Sequence, residues 1–157
     1  MSRQTLSEWL AYLESLHPKT IELGLGRINQ VKQRLNLEPT FPIITVAGTN
    51  GKGSTCAYLE AILSRAGYRV GCYTSPHLLD YNERVRIMGR VADDRALCDA
   101  FAQIESARGD ISLTYFEFGT LAAMLLFNMN NLDAVILEVG LGGRYQLHNA
   151  SDGKSAV

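Results

Sequence analysis

Cysteine is scarce. The 157 residues contain three, Cys56, Cys72 and Cys98, an odd number with no close spacing. This excludes a disulfide-stapled secreted scaffold and offers no metal-ligand spacing, so all three read as reduced thiols, small apolar residues in or near a core. Excess charge is missing as well: 15 Lys and Arg stand against 16 Asp and Glu. Without a basic surplus, nucleic acid is an unexpected partner. No apolar run is long enough to span a bilayer, the longest lying near Leu121 to Phe127, and MSRQTLSEWLAYLESL lacks the basic start and continuous apolar stretch of an export signal. The expectation is a cytoplasmic protein with no membrane partner. Internal repeats and low-complexity stretches are also absent.

An apolar content of 46% is enough for one compact core. Leu6, Trp9, Leu10, Leu13 and Leu16 recur at helical spacing until His17-Pro18, and IELGLGRINQVKQRL repeats the pattern more weakly through Ile28, Val31 and Leu35. IITV, Ile43 to Val46, is a β-branched run without polar alternation, as in a strand buried on both faces of a parallel sheet. A glycine-rich turn follows. A helix from Ser54 to Ala66 is expected to present Ala57, Tyr58, Ile62 and Ala66, beside Leu59 and Leu63, and to stop at Gly67. YRVGCYTS then reads as a strand, completing a βαβ unit. Asp93 or Asp94 can cap a helix through Leu97, Ala100, Phe101 and Ile104, Phe118 to Asn128 supplies another, and DAVILEVG is a second buried strand. The fold class is therefore α/β, an open, mostly parallel sheet with helices on both faces.

The turn in TVAGTNGKGSTCAYLEAIL joins a strand to a helix start, where unpartnered N–H groups and the positive dipole end attract anions. Gly48, Gly51 and Gly53 let backbone wrap a phosphate, Lys52 can reach the outer phosphates, and Ser54 or Thr55 offers a hydroxyl near a metal. The spacing departs from a Walker A loop, with two residues between the first glycines and Gly53 after the lysine. Ser75, after the second strand, falls at the carboxyl edge of the sheet, although Ser75-Pro76 alone reads equally as a turn. Glu138 interrupts an otherwise apolar strand. Burying it unpaired costs several kcal/mol or forces protonation, so it needs a cation, a partner such as Arg144, or solvent.

TVAGTNGKGST resembles the ATP loop of the Mur-ligase-like family, specifically of bifunctional dihydrofolate synthase/folylpolyglutamate synthase. YTSPHLLDYNERVRI, DISLTYFEFGTLAAMLLF and LDAVILEVGLGGR resemble three further signatures of that family in the same order, so the likeness runs from about Trp9 to Arg144. It implies a P-loop NTPase-like central domain and an ATP-dependent ligase of folate biosynthesis that adds L-glutamate to dihydropteroate or a reduced folate through an acyl phosphate. The implied cofactors are ATP and Mg2+. The implied ATP-binding residues are Gly48, Thr49, Asn50, Gly51, Lys52, Gly53, Ser54 and Thr55, with Ser75 and Glu138 as metal ligands and Lys52 and Glu138 in catalysis. Leu23, Gly24, Thr114, Tyr115, Phe116 and Glu117 are the implied substrate contacts. Taken by themselves, Tyr115, Phe116 and Phe118 read more readily as core, and Glu117 as a first-turn carboxylate favouring a helix start. His77 reads as a surface residue, and Arg84 and Arg86, alternating with Val85 and Ile87, as the exposed face of a short strand.

After GLGGR the family pattern continues LDATN, whereas this sequence reads YQLHNASDGKSAV. The expectation is an N-terminal part of the ligase domain over 1–144, a divergent tail over 145–157, no C-terminal domain, and little or no synthase activity alone. A full-length member is expected to be a monomer. DAVILEVG, as a central strand without its next neighbours, predicts self-association. Two other readings stand beside this one: a non-catalytic nucleotide-binding module, and a fragment of a Mur-type peptidoglycan precursor ligase, which shares GTNGK.

Overall fold

The structure is a computed structural model and describes residues 4–16 and 25–139. Its contacts divide the chain into two compact units. A helical unit comprises Met1–Glu38 and Asp93–Met129, and a sheet unit comprises Pro39–Ala92 and Asn130–Val157.

The helical unit contains α1 (Leu6–Leu16), α2 (Leu25–Arg34), α4 (Asp94–Arg108) and α5 (Tyr115–Met129). Leu6, Trp9 and Leu13 form the buried stripe of α1, and Leu97, Ala100, Phe101 and Ile104 that of α4. Trp9 meets Phe101 at 5.9 Å between centroids, and Phe101 meets Phe118 edge-on at 6.0 Å, so three aromatics link α1, α4 and α5. Every residue of α5 from Glu117 to Phe127 is buried, which explains its nearly uninterrupted apolar sequence. Asp93 caps α4 by accepting from Ala96 N at 2.7 Å, and Gly109, at φ 56°, ends it. At the same end, Arg34 Nη1 donates to the Ala107 and Arg108 carbonyls at 3.1 and 2.9 Å. Helix α5 starts at Tyr115, earlier than the apolar run from Phe118 suggests, because Thr114 and Glu117 build its first turn.

In the sheet unit β1 (Ile43–Val46), α3 (Lys52–Arg65), β2 (Val70–Tyr73), β3 (Val85–Ile87), β4 (Arg90–Val91) and β5 (Ala134–Glu138) give the strand order β1-β5-β2-β3-β4. The first three strands are parallel, and β3 and β4 extend the sheet antiparallel. Strand β5 therefore lies between β1 and β2, paired on both edges, and the expectation that it lacks neighbours is corrected. Among the described residues β1 and β4 are the edge strands of the sheet. Arg69 fixes the β2–β5 register: its N–H donates to Asp133 Oδ2 at 2.7 Å, and its guanidinium to the Asn130 and Asn131 carbonyls at 3.0 Å.

Helix α3 covers one face of this sheet. Val46, Cys56, Val70, Cys72 and Ile136 form the core there, with Ile44, Leu59 and Leu63 packed against it. Tyr58 and Ile62, expected on the inner face, are 72% and 62% exposed. Both choices of stripe obey helical spacing, and the narrow sheet accepts only the one through Cys56, Leu59 and Leu63. Arg86 also departs from expectation. It turns inward from β3 and makes a bidentate pair with Glu60 of α3, at 2.7 and 3.1 Å to Oε2. No helix among the described residues is long and apolar enough to cross a membrane.

Candidate functional site

Strand β1 ends at Val46 and α3 begins at Lys52, so residues 47 to 51 form the exposed glycine loop. Gly51 adopts φ 74°, ψ 8°, a left-handed conformation that turns the chain into the helix and penalises a side chain. Gly48 has φ 151°, and a Cβ there would lie 3.9 Å from Lys52 Cγ. The first turn of α3 carries no acidic residue and no side-chain cap. The N–H groups of Lys52, Gly53 and Ser54 therefore have no acceptor among the described residues and open toward the loop. Lys52 Nζ donates to Gly48 O at 2.8 Å, holding the ammonium over the loop it would serve. The Thr55 hydroxyl donates back to Gly51 O at 2.9 Å, whereas the exposed hydroxyls of Thr49 and Ser54 have no partner among the described residues.

Glu138 is the last residue of β5 and pairs in register with Val46, at the root of the loop. Val139 N donates to Val46 O at 3.0 Å, extending the ladder past it. Because side chains alternate along a strand, Glu138 shares the face of Ile136, which belongs to the core under α3. The carboxylate thus lies on the glycine-loop side of the sheet. It is buried, 8% exposed, and has no hydrogen-bond or ion-pair partner among the described residues. Its charge reaches the Cys56 thiol. On the next strand β2 ends at Tyr73, and Ser75 follows at the same carboxyl edge, half-buried, before a cis bond to Pro76. Lys52, Ser54, Ser75 and Glu138 are accordingly carried to one edge of one sheet. No three His, Cys, Asp or Glu side chains gather as a metal cluster among the described residues. One buried carboxylate and one hydroxyl are nonetheless hard oxygen donors, the set that a divalent cation retaining waters and phosphates requires.

Beyond Ser75 the chain is held by Glu83, whose carboxylate accepts from Leu78, Leu79 and Asp80 N–H at 2.8 to 2.9 Å. The bond from Asp80 N–H, followed by those from Leu78 and Leu79, lowers the Glu83 carboxyl to about 2. His77 is not free to act on phosphate from Nδ1, which accepts from Arg84 Nε at 2.8 Å. The Arg84 guanidinium also lies over the Tyr81 ring, 5.4 Å from its centroid.

The substrate quartet lies in the helical unit. Thr114, Tyr115 and Phe116 are half-buried, whereas the Glu117 side chain is 1% exposed. Glu117 Oε2 accepts from Thr114 N at 2.8 Å while Glu117 N donates to Thr114 Oγ1 at 3.1 Å, a reciprocal cap. Its Oε1 faces Arg27 Nη2 of α2 at 3.4 Å. Both carboxylate oxygens are engaged, so Glu117 shapes the helix start and its three neighbours are left to present a surface. Leu23 and Gly24 lie outside the described residues, as does Arg144. Sequence reasoning missed Arg27, Glu83 and the Glu60–Arg86 pair. The spacing D-x-x-E of Asp80 and Glu83 carried a signal for the second, whereas the ion pairs join residues too distant in sequence to signal each other.

No family model matches the chain. Among curated proteins it is 59% identical over 153 residues to the dihydrofolate synthase/folylpolyglutamate synthase of Escherichia coli K12, covering 97% of this chain and 36% of that protein. Over its length the chain belongs to that family, as its N-terminal part. Escherichia coli FolC in complex with DHPP and ADP superimposes with a TM-score of 0.86 at 59% identity, covering 91% of this chain and 35% of that one. The bifunctional enzyme of Yersinia pestis complexed with AMPPNP and Mn ion gives 0.86 at 61%, covering 91% and 35%. The chain spans about a third of the length of these relatives.

Two outcomes follow from the carboxylates. Because the Glu83 pKa is lower folded than unfolded, its contribution to stability is present above its ordinary 4.5 and lost as pH falls toward about 2. In acid unfolding followed by circular dichroism, Glu83→Gln should flatten the stability loss across that window. Glu117→Ala removes a cap and the contact with Arg27, and should cost about 3 kcal/mol in urea titrations, with a smaller loss for Glu117→Gln.

Proposed function

We propose that this chain is the nucleotide-binding part of an ATP-dependent ligase that joins L-glutamate to dihydropteroate or tetrahydrofolate. The observation that carries this reading is Glu138, a buried carboxylate without a hydrogen-bond or ion-pair partner among the described residues, on the glycine-loop side of the sheet. Such a group is costly unless a cation completes it. A nucleotide's metal is that cation.

A carboxylate acylates poorly until it is phosphorylated, so the ligase must first bring the γ-phosphate against the substrate carboxylate and then admit the glutamate amine to the acyl phosphate. The free N–H groups of Lys52, Gly53 and Ser54 donate to the phosphates, and Lys52 exchanges its bond to Gly48 O for a phosphate oxygen. Ser75 and Glu138 would hold Mg2+, which would supply charge neutralisation at the transferring group. Thr114, Tyr115 and Phe116 offer the aromatic and hydroxyl surface suited to a flat heterocycle. The relatives crystallised with ADP and DHPP, and with AMPPNP and Mn ion, support the same assignment of ligands. Folate relatives at this identity favour this substrate class over a peptidoglycan precursor.

Ligation requires three substrates held in near-attack geometry, and the chain spans about a third of its relatives. The 157-residue polypeptide is therefore expected to bind nucleotide without robust turnover. We assign 1–144 to the ligase domain and 145–157 to a divergent tail.

Titration calorimetry with ATP, with and without Mg2+, tests the site. Lys52→Ala should weaken binding at least ~10-fold, and Glu138→Gln should remove the Mg2+ dependence while circular dichroism remains unchanged. Equal affinity in wild type and Lys52→Ala would eliminate the loop as the nucleotide site, and turnover of ATP, glutamate and dihydropteroate by the pure chain would overturn the expectation of inactivity. The β1 edge adds one more outcome. Residues 39 to 51 carry no charge to protect it, so light scattering should show self-association rising with concentration. A strict monomer at millimolar concentration contradicts this.

A further inference from the structure

We propose that Arg86 is a positioning residue for the nucleotide's metal: its ion pair with Glu60 holds α3, which starts at the glycine loop, in register with the strand end that carries Ser75. Resting on the reading of the glycine loop, Ser75 and Glu138 as the metal–nucleotide site, this role is confined to the sheet unit, which contains every residue named. Arg86 is opposite Cys72 in the β2–β3 register and lies on the face that α3 covers, where its Nη2 donates to Cys72 Sγ at 3.7 Å. The same guanidinium donates from Nε and Nη2 to Glu60 Oε2 at 3.1 and 2.7 Å. Sequence spacing gives no hint of this pair, which the fold assembles.

The pair joins two arms of nearly equal length. Ser54 precedes Glu60 on α3 by about 9 Å along the helix axis, and Ser75 follows Cys72 by about 10 Å of extended chain. Thr74 N donates to Arg84 O at 2.9 Å, so the β2–β3 ladder continues to the residue before Ser75, and β3 carries Arg86 while fixing the backbone that leads to the hydroxyl. Elsewhere α3 meets the sheet through Cys56, Leu59 and Leu63, apolar contacts whose attraction has no preferred direction. The guanidinium fork is directional, and it sets where α3 stands against β2 and β3. Phosphates held on one arm and the Ser75 hydroxyl on the other must meet a single cation, and Mg2+ demands near-ideal octahedral geometry. Displacing one arm against the other therefore weakens the bridge through the metal, whereas the phosphate donors, all on the first turn of α3, keep their own arrangement.

The test is calorimetric titration of ATP into the 157-residue chain with and without Mg2+, with Tm measured for every variant. Mg2+ should raise wild-type affinity at least ~5-fold. Glu60→Leu/Arg86→Met replaces the pair by apolar side chains and should keep Tm within ~3 °C of wild type. In that variant the Mg2+ enhancement should fall below ~2-fold while Mg2+-free affinity is retained. Arg86→Lys, which keeps the charge and loses the fork, should show the same selective loss, and it decides the outcome if the double variant does not fold. A wild-type Mg2+ enhancement in the folded variants overturns the positioning role and leaves the nucleotide site standing. So does an equal loss of affinity with and without Mg2+, the mark of a merely structural pair. No Mg2+ enhancement in the wild type, or undiminished affinity in Lys52→Ala, overturns the site reading and the positioning role with it.

Discussion

A carboxylate buried at the carboxyl end of a five-stranded sheet is the constraint around which the site is organised. Glu138 is 8% exposed at the end of a strand whose other four residues are apolar and buried. Burying a carboxylate away from water is costly unless positive charge stands near it. The surroundings prepare for that charge. The glycine loop begins one position beyond its register partner Val46, and α3 offers its positive dipole end with no acidic side chain to cancel it. A solvent-facing glutamate here would impose no such demand, and the strand would then read as scaffold alone.

The strands at IITV and DAVILEVG were legible because continuous apolar runs have few other uses, and β1 matches its expected limits at Ile43 and Val46. It does not match its expected burial on both faces, since it is an edge strand with Thr45 exposed and only Val46 buried. Strand order was not legible. β1 and β2 read as neighbours in a βαβ unit, yet β5, sixty residues on from β2 in sequence, inserts between them. Pairing of that kind depends on non-local packing, which periodicity does not encode. Helix α3 failed for a related reason: Tyr58 and Ile62 were chosen for their hydrophobicity, and the sheet instead accepted Cys56, smaller and placed where the helix passes nearest the strands. Of the candidate site residues, those carried by backbone shape were readable, since glycines before a helix have a specific physical use. Glu117, read by itself as a first-turn carboxylate, does cap the start of α5, and a carboxylate three residues after a threonine can serve as a cap or as a ligand contact.

That ambiguity recurs through the chain. Thr5 with Glu8, Asp80 with Glu83 and Thr114 with Glu117 place a glutamate three residues after a residue whose N–H it accepts. Each one starts an α- or 3-10 helical turn. The glycine loop is the exception at the start of α3, where no side chain caps the helix and its donors remain open. Uncapped N–H groups usually cost stability or find water, so the bare start of α3, beside these three turns and the Asp93 cap of α4, supports reading it as an anion site.

The Lys52 ammonium completes the argument. In the structure it bonds the Gly48 carbonyl at 2.8 Å, a neutral acceptor in its own loop. Exchanging that acceptor for a phosphate oxygen replaces one hydrogen bond by a stronger, charge-assisted one, and the side chain is already restrained near the loop before the exchange. Less rotamer entropy is therefore lost on binding than for a lysine swinging in water. The conformation at Gly51 has the same effect on the backbone, because its left-handed φ is set before any ligand arrives. Backbone donors and ammonium are thus positioned by the start of α3 and the carboxylate by β5, and the part left to a ligand is charge.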